Sequence, residues 1–183
     1  MAAMLLVAGC SKSDGSDAKK KDVEIPDQPA GLDGKAFCAK VSKELITEAI
    51  KAPYRTYDPV PLDDFPAPGV RGYECQWEWT NPAGDSRSLK VDALYFDGAL
   101  EGSLDASWKS TVDLLSGAGK KLSNVGDDAM QAKLQGLVTV TARKGNTQVT
   151  AVSGAKGAAA PATVDALSLV AGTVLDVGTK PSG

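Results

Sequence analysis

Histidine is absent from this chain of 183 residues. Histidine is the commonest general base in enzymes and the commonest metal ligand in proteins. Its absence excludes Ser-His-Asp and Cys-His catalytic centres and every zinc site that contains histidine. The chain also has no excess of positive charge, since the formal net charge is −3, and no basic stripe runs along the sequence. We therefore expect no nucleic-acid partner.

Long apolar runs are missing too, and the first short apolar run ends at a cysteine. Leu5 to Gly9 precedes Cys10, and a polar stretch from Ser11 to Lys21 follows. A transmembrane helix needs roughly 20 apolar residues, so this run is too short to span a membrane. An ordinary secretory signal or a buried N-terminal strand with a chance cysteine are the other interpretations. Neither explains why a cysteine follows the small residues Ala8 and Gly9.

The segment before Cys10 resembles the lipobox of bacterial lipoproteins. The resemblance implies that residues 1–9 are a signal peptide, that a diacylglyceryl group is attached to the Cys10 thiol, and that a peptidase cuts before it. Two acyl chains anchor a protein stably, so we expect a domain held at the outer face of the cytoplasmic membrane. No Lys or Arg precedes Leu5, although signal peptides begin with positive charge. We therefore expect the true translation start to lie upstream of Met1.

The two remaining cysteines form a natural pair. None of the three cysteines belongs to a Cys-x-x-Cys motif, so their spacing does not favour a redox centre. Disulfides persist in exported proteins, and we expect Cys38 and Cys75 to be bridged. The alternative is two separately buried thiols. The bridge would close a loop of about 38 residues, which in the loop-entropy treatment stabilises the fold by ~3–4 kcal/mol.

After the predicted signal peptide (residues 1–9), composition divides the chain into three parts. Residues 10–32 are rich in Ser, Asp, Lys, Gly and Pro and are predicted to be a flexible tether. Residues 33–177 are predicted to form one domain, and residues 178–183 a disordered tail. Within the domain, apolar spacing predicts a first helix from about Gly34 that stops at Pro53, a second over about 103–115, and a third from Pro161 to about Asp176.

Strict alternation of polar and apolar residues predicts the strands between these helices. Residues 73–80 and 89–95 are expected to form an antiparallel hairpin, and a short strand is expected over 121–125. Further strands are predicted over 130–134, 137–143 and 147–152, the last two joined by a turn at Gly145-Asn146. The order predicts an α+β fold in which helices flank one antiparallel sheet.

Aromatic residues provide the candidates for binding. Residues 54–69 contain too many prolines for a regular element, and this loop either packs over the core or forms a binding lip. Trp77, Trp79 and Trp108 either belong to the core or line a pocket for a lipid, a glycan or an aromatic compound. We name as candidate ligand or partner contacts Tyr57, Phe65, Tyr73, Trp77, Trp79 and Trp108.

Motifs for other chemistry are incomplete. Asp63-Asp64 and Asp127-Asp128 are paired carboxylates, but neither pair has the ligand spacing of an EF-hand loop. Gly117 to Lys121 lacks the spacing of a phosphate-binding loop and follows a helix. We interpret these segments as turns and a helix end, and we expect no cofactor, no metal and no catalytic residue.

Taken in order, these features resemble a family of actinobacterial cell-surface lipoproteins of unknown function. The resemblance covers residues 10–177 and implies a sandwich similar to that of PsbP. The family offers no activity to carry over. We expect a non-enzymatic lipoprotein whose exported domain binds a small ligand or an envelope partner, or alternatively a structural or regulatory interaction module without a pocket. The matching features are Cys10, the polar tether, Cys38 in the first helix, Cys75-Gln76-Trp77, the Val125–Ala129 turn, the strands around Gly145-Asn146 and the closing helix.

Overall fold

The computed structural model describes residues 34–62, 70–96, 101–115 and 117–179. The predicted signal peptide, Cys10 and the predicted tether lie outside these residues. The described helices are α1 (Gly34–Lys40), α2 (Lys43–Ile50), α3 (Glu101–Leu115) and α4 (Val164–Thr179). The described strands are β1 (Arg55–Thr56), β2 (Val60–Pro61), β3 (Val70–Thr80), β4 (Ser86–Phe96), β5 (Gly119–Leu122), β6 (Asp128–Leu134), β7 (Leu137–Lys144) and β8 (Thr147–Lys156).

The described strands form one open antiparallel sheet of eight strands. Its order is β1-β3-β4-β8-β7-β6-β5, and β2 also pairs with β3. The two long hairpins, β3–β4 and β7–β8, meet where β4 pairs with β8 along ten residue pairs, from Ser86 opposite Lys156 to Tyr95 opposite Thr147. Helices flank this sheet, which confirms the predicted α+β fold.

The first predicted helix is wrong, because two short helices occupy its place. The hydroxyl of Ser42 accepts a hydrogen bond from the Leu45 amide at 3.3 Å, and Ser42 has extended backbone angles. A serine in this conformation caps a new helix at its N-terminus, so the chain restarts at Lys43. The helical spacing of Phe37, Val41 and Leu45 predicted one helix because Phe37 and Val41 are buried in the main core and Leu45 packs against it.

The proline-rich segment is more regular than predicted. β1 and β2 add two residues each to the edge of β3, with Arg55 opposite Glu78 and Val60 opposite Glu74. A proline is compatible with an edge strand, since no further strand needs its missing amide hydrogen. Residues 63–69, with Phe65 and Asp63-Asp64, lie outside the described part of the chain.

The C-terminal half agrees closely with expectation. β6, β7 and β8 lie where the alternation predicts them, whereas the short strand β5 begins two residues and ends three residues earlier than predicted. α4 continues to Thr179, so Gly178 and Thr179 are helical rather than part of the predicted tail. Residues 180–183 lie outside the described range.

The sheet has two different faces. On one face α1, α2 and α4 cover the main core, which includes Trp77 of β3, Val91 of β4 and Val140 of β7. On the other face lies α3, whose Trp108 and Leu115 pack on Met130 of β6. Because neighbouring residues of a strand point to opposite faces, each strand contributes to both layers.

A disulfide joins Cys38 of α1 to Cys75 of β3, which confirms the predicted bridge. The two Cα atoms are 5.6 Å apart, and both side chains are buried in the main core. The bond fixes the short helix α1 to the centre of the longest hairpin. α1 has seven residues, too few for a helix that is stable by itself in water.

Candidate interaction surface

The predicted aromatic contacts do not form one pocket. Trp77 is 2% exposed in the main core under the helices α1, α2 and α4. Trp108 belongs to α3 and packs on the opposite side of the sheet. Since the sheet separates the two indoles, a cavity lined by Tyr73, Trp77 and Trp108 together does not exist.

Trp108 is held by contacts within the fold. Its indole N–H donates to Asp128 Oδ2 at 3.0 Å, and the guanidinium of Arg143 lies 5.3 Å from the ring centre. Arg143 also pairs with Asp105 of α3 at 2.6 Å. These contacts join α3 to β6 and β7, so the polar edge of this tryptophan is already engaged.

Tyr73 and Trp79 lie on the same face as Trp77, at the margin of the main core. Tyr73 is stacked on Phe37 of α1, with ring centres 6.2 Å apart. Tyr95 approaches Phe37 edge-on at 6.3 Å, and burial raises the pKa of Tyr95 to about 12, with a smaller contribution from Tyr73. These rings therefore pack α1 against the β3–β4 hairpin.

Tyr57 lies at the border of the opposite face. Its hydroxyl donates to Glu78 Oε2 at 2.6 Å, and the guanidinium of Arg55 lies 4.9 Å from its ring centre. The hydrogen bond to Glu78 is the main reason that the pKa of Tyr57 is raised. The last predicted contact, Phe65, lies outside the described residues.

Two surface grooves occur elsewhere, and neither contains the predicted aromatics. One, of 540 Å³, follows α2 and its end. The other, of 270 Å³, lies beside the edge strand β5. Both open widely to solvent. The first is lined by Lys43, Thr47, Lys51, Ala52, Pro53 and Tyr54, and the second by Ala118, Lys120, Gln131, Ala132 and Lys133.

The described helices leave part of the face that carries α3 uncovered. α3 packs on Val70, Leu94 and Phe96 at one end of the β3–β4 hairpin and on β6 at the other end of the helix. No other described helix contacts this face. Away from α3, the side chains on this face are half-buried or exposed, and we call them the open face: Arg55, Glu74, Gln76, Glu78, Ser88, Lys90, Asp92, Leu134, Leu137, Thr139, Thr150, Val152 and Lys156.

The open face has a charged half on β3 and β4. Glu74 is opposite Asp92, and Gln76 is opposite Lys90. The Lys90 ammonium lies 2.6 Å from Glu74 Oε2 and 3.4 Å from Asp92 Oδ2. Asp92 Oδ1 is buried, and no described donor reaches it. One ammonium thus serves two carboxylates, and one carboxylate oxygen remains without a partner.

These charges shift each other's ionisation. Burial is the main reason that the pKa of Asp92 is raised; the charge of Lys90 opposes the increase and the charge of Glu74 adds to it. For Lys90, burial acts to lower the pKa, but the hydrogen bond to Glu74 and the two negative charges outweigh it, so the pKa is raised. Asp92 therefore ionises at an energetic cost that a further cation beside it would reduce.

Replacement of Asp92 by asparagine is expected to change how stability depends on pH. The pKa of Asp92 is higher in the folded than in the unfolded state, so its ionisation destabilises the fold above the folded pKa and has no effect below the unfolded pKa. The Asp92→Asn protein should therefore gain stability relative to wild type as the pH rises from ~3 to ~7. Urea unfolding at several pH values measures the difference.

Asp165→Asn, which removes an exposed carboxylate from α4, controls for the change in net charge. A stability difference between Asp92→Asn and wild type that is constant across this pH range contradicts the prediction.

The paired carboxylates Asp127-Asp128 have structural partners. Asp127 Oδ2 accepts from the Gly145 amide at 2.9 Å, and Asp128 binds the Trp108 indole. Gly126 adopts a φ of +63°, and a Cβ there would lie 2.4 Å from the Arg143 carbonyl oxygen. This segment is therefore a tight turn against the β7–β8 hairpin, as its sequence predicts.

Within the described residues, no three side chains of the types that bind metals converge on one point. No helix in the described ranges has the length and apolar character needed to cross a bilayer. Comparison of the chain with protein-family models, with curated proteins and with solved structures finds no match. Function is therefore inferred from the surface geometry and the sequence.

Sequence reasoning missed Glu74, Lys90 and Asp92 as a group. Their alternation with apolar neighbours indicates a polar strand face, but 16 positions separate Glu74 from Lys90 along the chain. Only the register of β3 against β4 places the carboxylates opposite each other. The predicted hairpin contained this signal, since charged residues of opposite sign occupied the same face of both strands.

Proposed function

We propose that this protein is a non-enzymatic lipoprotein, anchored at the outer face of the cytoplasmic membrane, whose domain binds an envelope protein through the open face. The observation that carries the proposal is the asymmetric covering of the sheet. Among the described helices, three cover one face, whereas only α3 covers part of the other. A sheet face that is left partly uncovered is a surface on which another chain can pack.

The disulfide and the N-terminal sequence support the cellular setting. Disulfides form in oxidising compartments and are rare in the cytosol, and Cys38 and Cys75 are joined here. Cys10 follows an apolar run that ends in Ala8-Gly9. Both features are those of an exported lipoprotein, and kinship with the actinobacterial paired-cysteine lipoproteins is part of the same proposal.

The geometry favours a protein partner over a small ligand. The predicted aromatic contacts that the structure describes lie on two sides of the sheet, and the grooves along α2 and β5 are open to solvent. Small-molecule sites are concave and enclose most of their ligand. The open face instead presents the exposed Leu134 and Leu137 beside charged side chains of β3 and β4, and apolar groups bordered by polar ones are common at protein interfaces.

Cys10→Ser is expected to release the protein from membranes. Without the thiol no diacylglyceryl group can be attached, and the domain loses both acyl chains that hold it at the bilayer. Fractionation of cells and intact mass measurement test this, with Ser16→Ala in the same N-terminal segment as the control that leaves Cys10 and the disulfide in place. Membrane retention of the Cys10→Ser protein, or an acyl mass that persists on it, would falsify the anchor.

Site-specific photo-crosslinking in cells tests the partner. A photoreactive phenylalanine at Gln76 or Val152 of the open face should give one adduct of defined mass, identifiable by mass spectrometry. The same group at Leu169, which is 58% exposed on α4, is the matched control and should not give that adduct. Equal labelling from all three positions, or none from the open face, contradicts the proposed function.

A further inference from the structure

The helix α3 is packed separately from the other described helices. Its buried apolar side chains belong to two small clusters, one that Leu104 shares with Leu94 and one that Trp108 shares with Met130. None of the buried residues in either cluster belongs to the main core, which lies on the other face of the sheet under α1, α2 and α4. Departure of α3 would therefore leave the main core and the disulfide within it intact.

The sheet presents a mostly polar row of side chains to α3. The row crosses four strands, with each residue opposite the next: Leu94 of β4, Gln148 of β8, Arg143 of β7 and Asp128 of β6. Only Leu94 in this row is apolar, and it belongs to the cluster of Leu104. Because the hydrophobic penalty of exposure to water grows with apolar area, such a row is exposed at a lower cost than an apolar row would be.

Hydrogen bonds between side chains join α3 to this row. Gln148, which is 4% exposed, accepts from the Ser107 hydroxyl and donates to the Thr111 hydroxyl, each at 3.2 Å. Water can replace these bonds once the helix has left, so their net contribution to stability is small. The ion pair between Arg143 and Asp105 also contributes little, because the Asp105 side chain is 68% exposed. These contacts hold α3 less firmly than burial of an apolar face would.

The helix α4 provides a comparison, because it has a similar length and lies on the opposite face of the sheet. α4 has 16 residues and α3 has 15. Leu167, Val170 and Val174 of α4 are at most 1% exposed in the main core, so departure of α4 would return a large apolar surface to water. An isolated helix of about 15 residues is only marginally stable in water, so α3 would unfold once it leaves the sheet.

From these observations we propose that α3 detaches as a separate unit: it leaves the sheet and unfolds along its whole length while the main core stays folded. The apolar contacts of Leu104 and Trp108 are lost on detachment, so the detached form is a minor state of the protein. Detachment uncovers Gln148, Arg143 and Asp128 and thereby extends the open face along β8, β7 and β6. The detachment itself does not depend on the proposed function, and it is measured without a partner.

Native-state hydrogen exchange tests this inference on the full chain with Cys10→Ser, prepared oxidised. Relative to their rates in an unfolded chain, the amides of α3 should exchange at least about 100-fold faster than the central amides of β8 and α4. Low concentrations of urea should accelerate exchange in β8 and α4 more steeply than in α3, because global unfolding exposes more surface than detachment of one helix. All amides of α3 should share one shallow dependence on urea, since the helix opens as a whole.

Two substitutions give the decisive comparison, because they act on different states. Val140 is fully buried in the main core, so Val140→Ala weakens the closed state and the detached state alike. It should accelerate exchange in β8 and α4 at least about tenfold and leave exchange in α3 unchanged. Leu104 is 5% exposed beneath α3, and Leu104→Ala weakens only the closed state. It should accelerate exchange in α3, β8 and α4 by the same factor.

The inference is overturned if the α3 amides exchange as slowly as those of β8 and α4. It is also overturned if Val140→Ala accelerates all three sets equally, since α3 would then open only together with the whole domain. Exchange in α3 that is independent of urea, or that slows steadily from the ends of the helix to its centre, would indicate fraying and reject the separate unit. If Val140→Ala fails to fold, the urea dependences of the parent protein decide between these outcomes.

Discussion

Replacing Cys38 and Cys75 together by alanine is expected to lower the free energy of unfolding by about 3–4 kcal/mol. The two residues are 37 positions apart, so the bond restricts a long loop in the unfolded chain. In the folded state it fixes α1, which has seven residues and contacts the sheet mainly at β3. Urea unfolding followed by tryptophan fluorescence measures the loss.

Reduction of the wild-type protein is the control for this experiment, because it breaks the bond without removing the sulfur atoms. The reduced protein should lose nearly as much stability as the double alanine variant, and the small remainder reports the packing of the two sulfurs. Two free thiols in the exported wild-type protein, or a double variant as stable as the oxidised parent, would show that the bond does not stabilise the fold.

Trp77→Ala is expected to have a similarly large effect, about 3–5 kcal/mol. The indole is 2% exposed and lies in the main core between the β3–β4 hairpin and the helices. Its removal leaves a cavity that close-packed neighbours fill only in part. Denaturant unfolding measures the change. The variant should remain folded if the free energy of unfolding of the wild type exceeds this loss.

Trp79→Ala is the matched control, since Trp79 occupies the same strand and the same face but is only half-buried. It should cost clearly less than Trp77→Ala, because less apolar surface is returned to water. Equal losses at the two positions would contradict the assignment of Trp77 to the centre of the core. An unchanged stability for Trp77→Ala would instead favour Trp77 as a candidate ligand contact.

Part of the fold follows from local sequence signals. Alternation along 73–80 and 89–95 predicts the hairpin that forms β3 and β4, since a half-buried strand repeats every two residues. The break between α1 and α2 was missed because Phe37, Val41 and Ile46 all point to one core and imitate a continuous helical stripe. The capping hydroxyl of Ser42 was the local signal for the break.

The candidate surface is a product of tertiary structure. Gln76, Lys90 and Val152 come from three separate strands, and they lie in one row only because β3 pairs with β4 and β4 with β8 in one register. A shift of either pairing by one residue would move each strand's side chains to the other face. No local pattern in the sequence specifies that register.

The sequence by itself determined which histidine-dependent sites the chain cannot form and which two cysteines form the disulfide. Without histidine, whole classes of catalytic and metal sites are excluded. Two cysteines in a chain with a lipobox-like start were enough to predict the disulfide that the structure contains. Both conclusions depend on residue identity and on redox setting, and neither requires knowledge of the fold.

Only the tertiary structure decided which aromatic residues share a surface and which charges meet. It placed Trp77 and Trp108 on opposite faces of one sheet, and it brought Glu74, Lys90 and Asp92 together on the side that the described helices cover only in part. The physical reason is that strand pairing and helix placement are long-range choices. They are set by the burial of the whole apolar surface, which no short segment of the chain encodes.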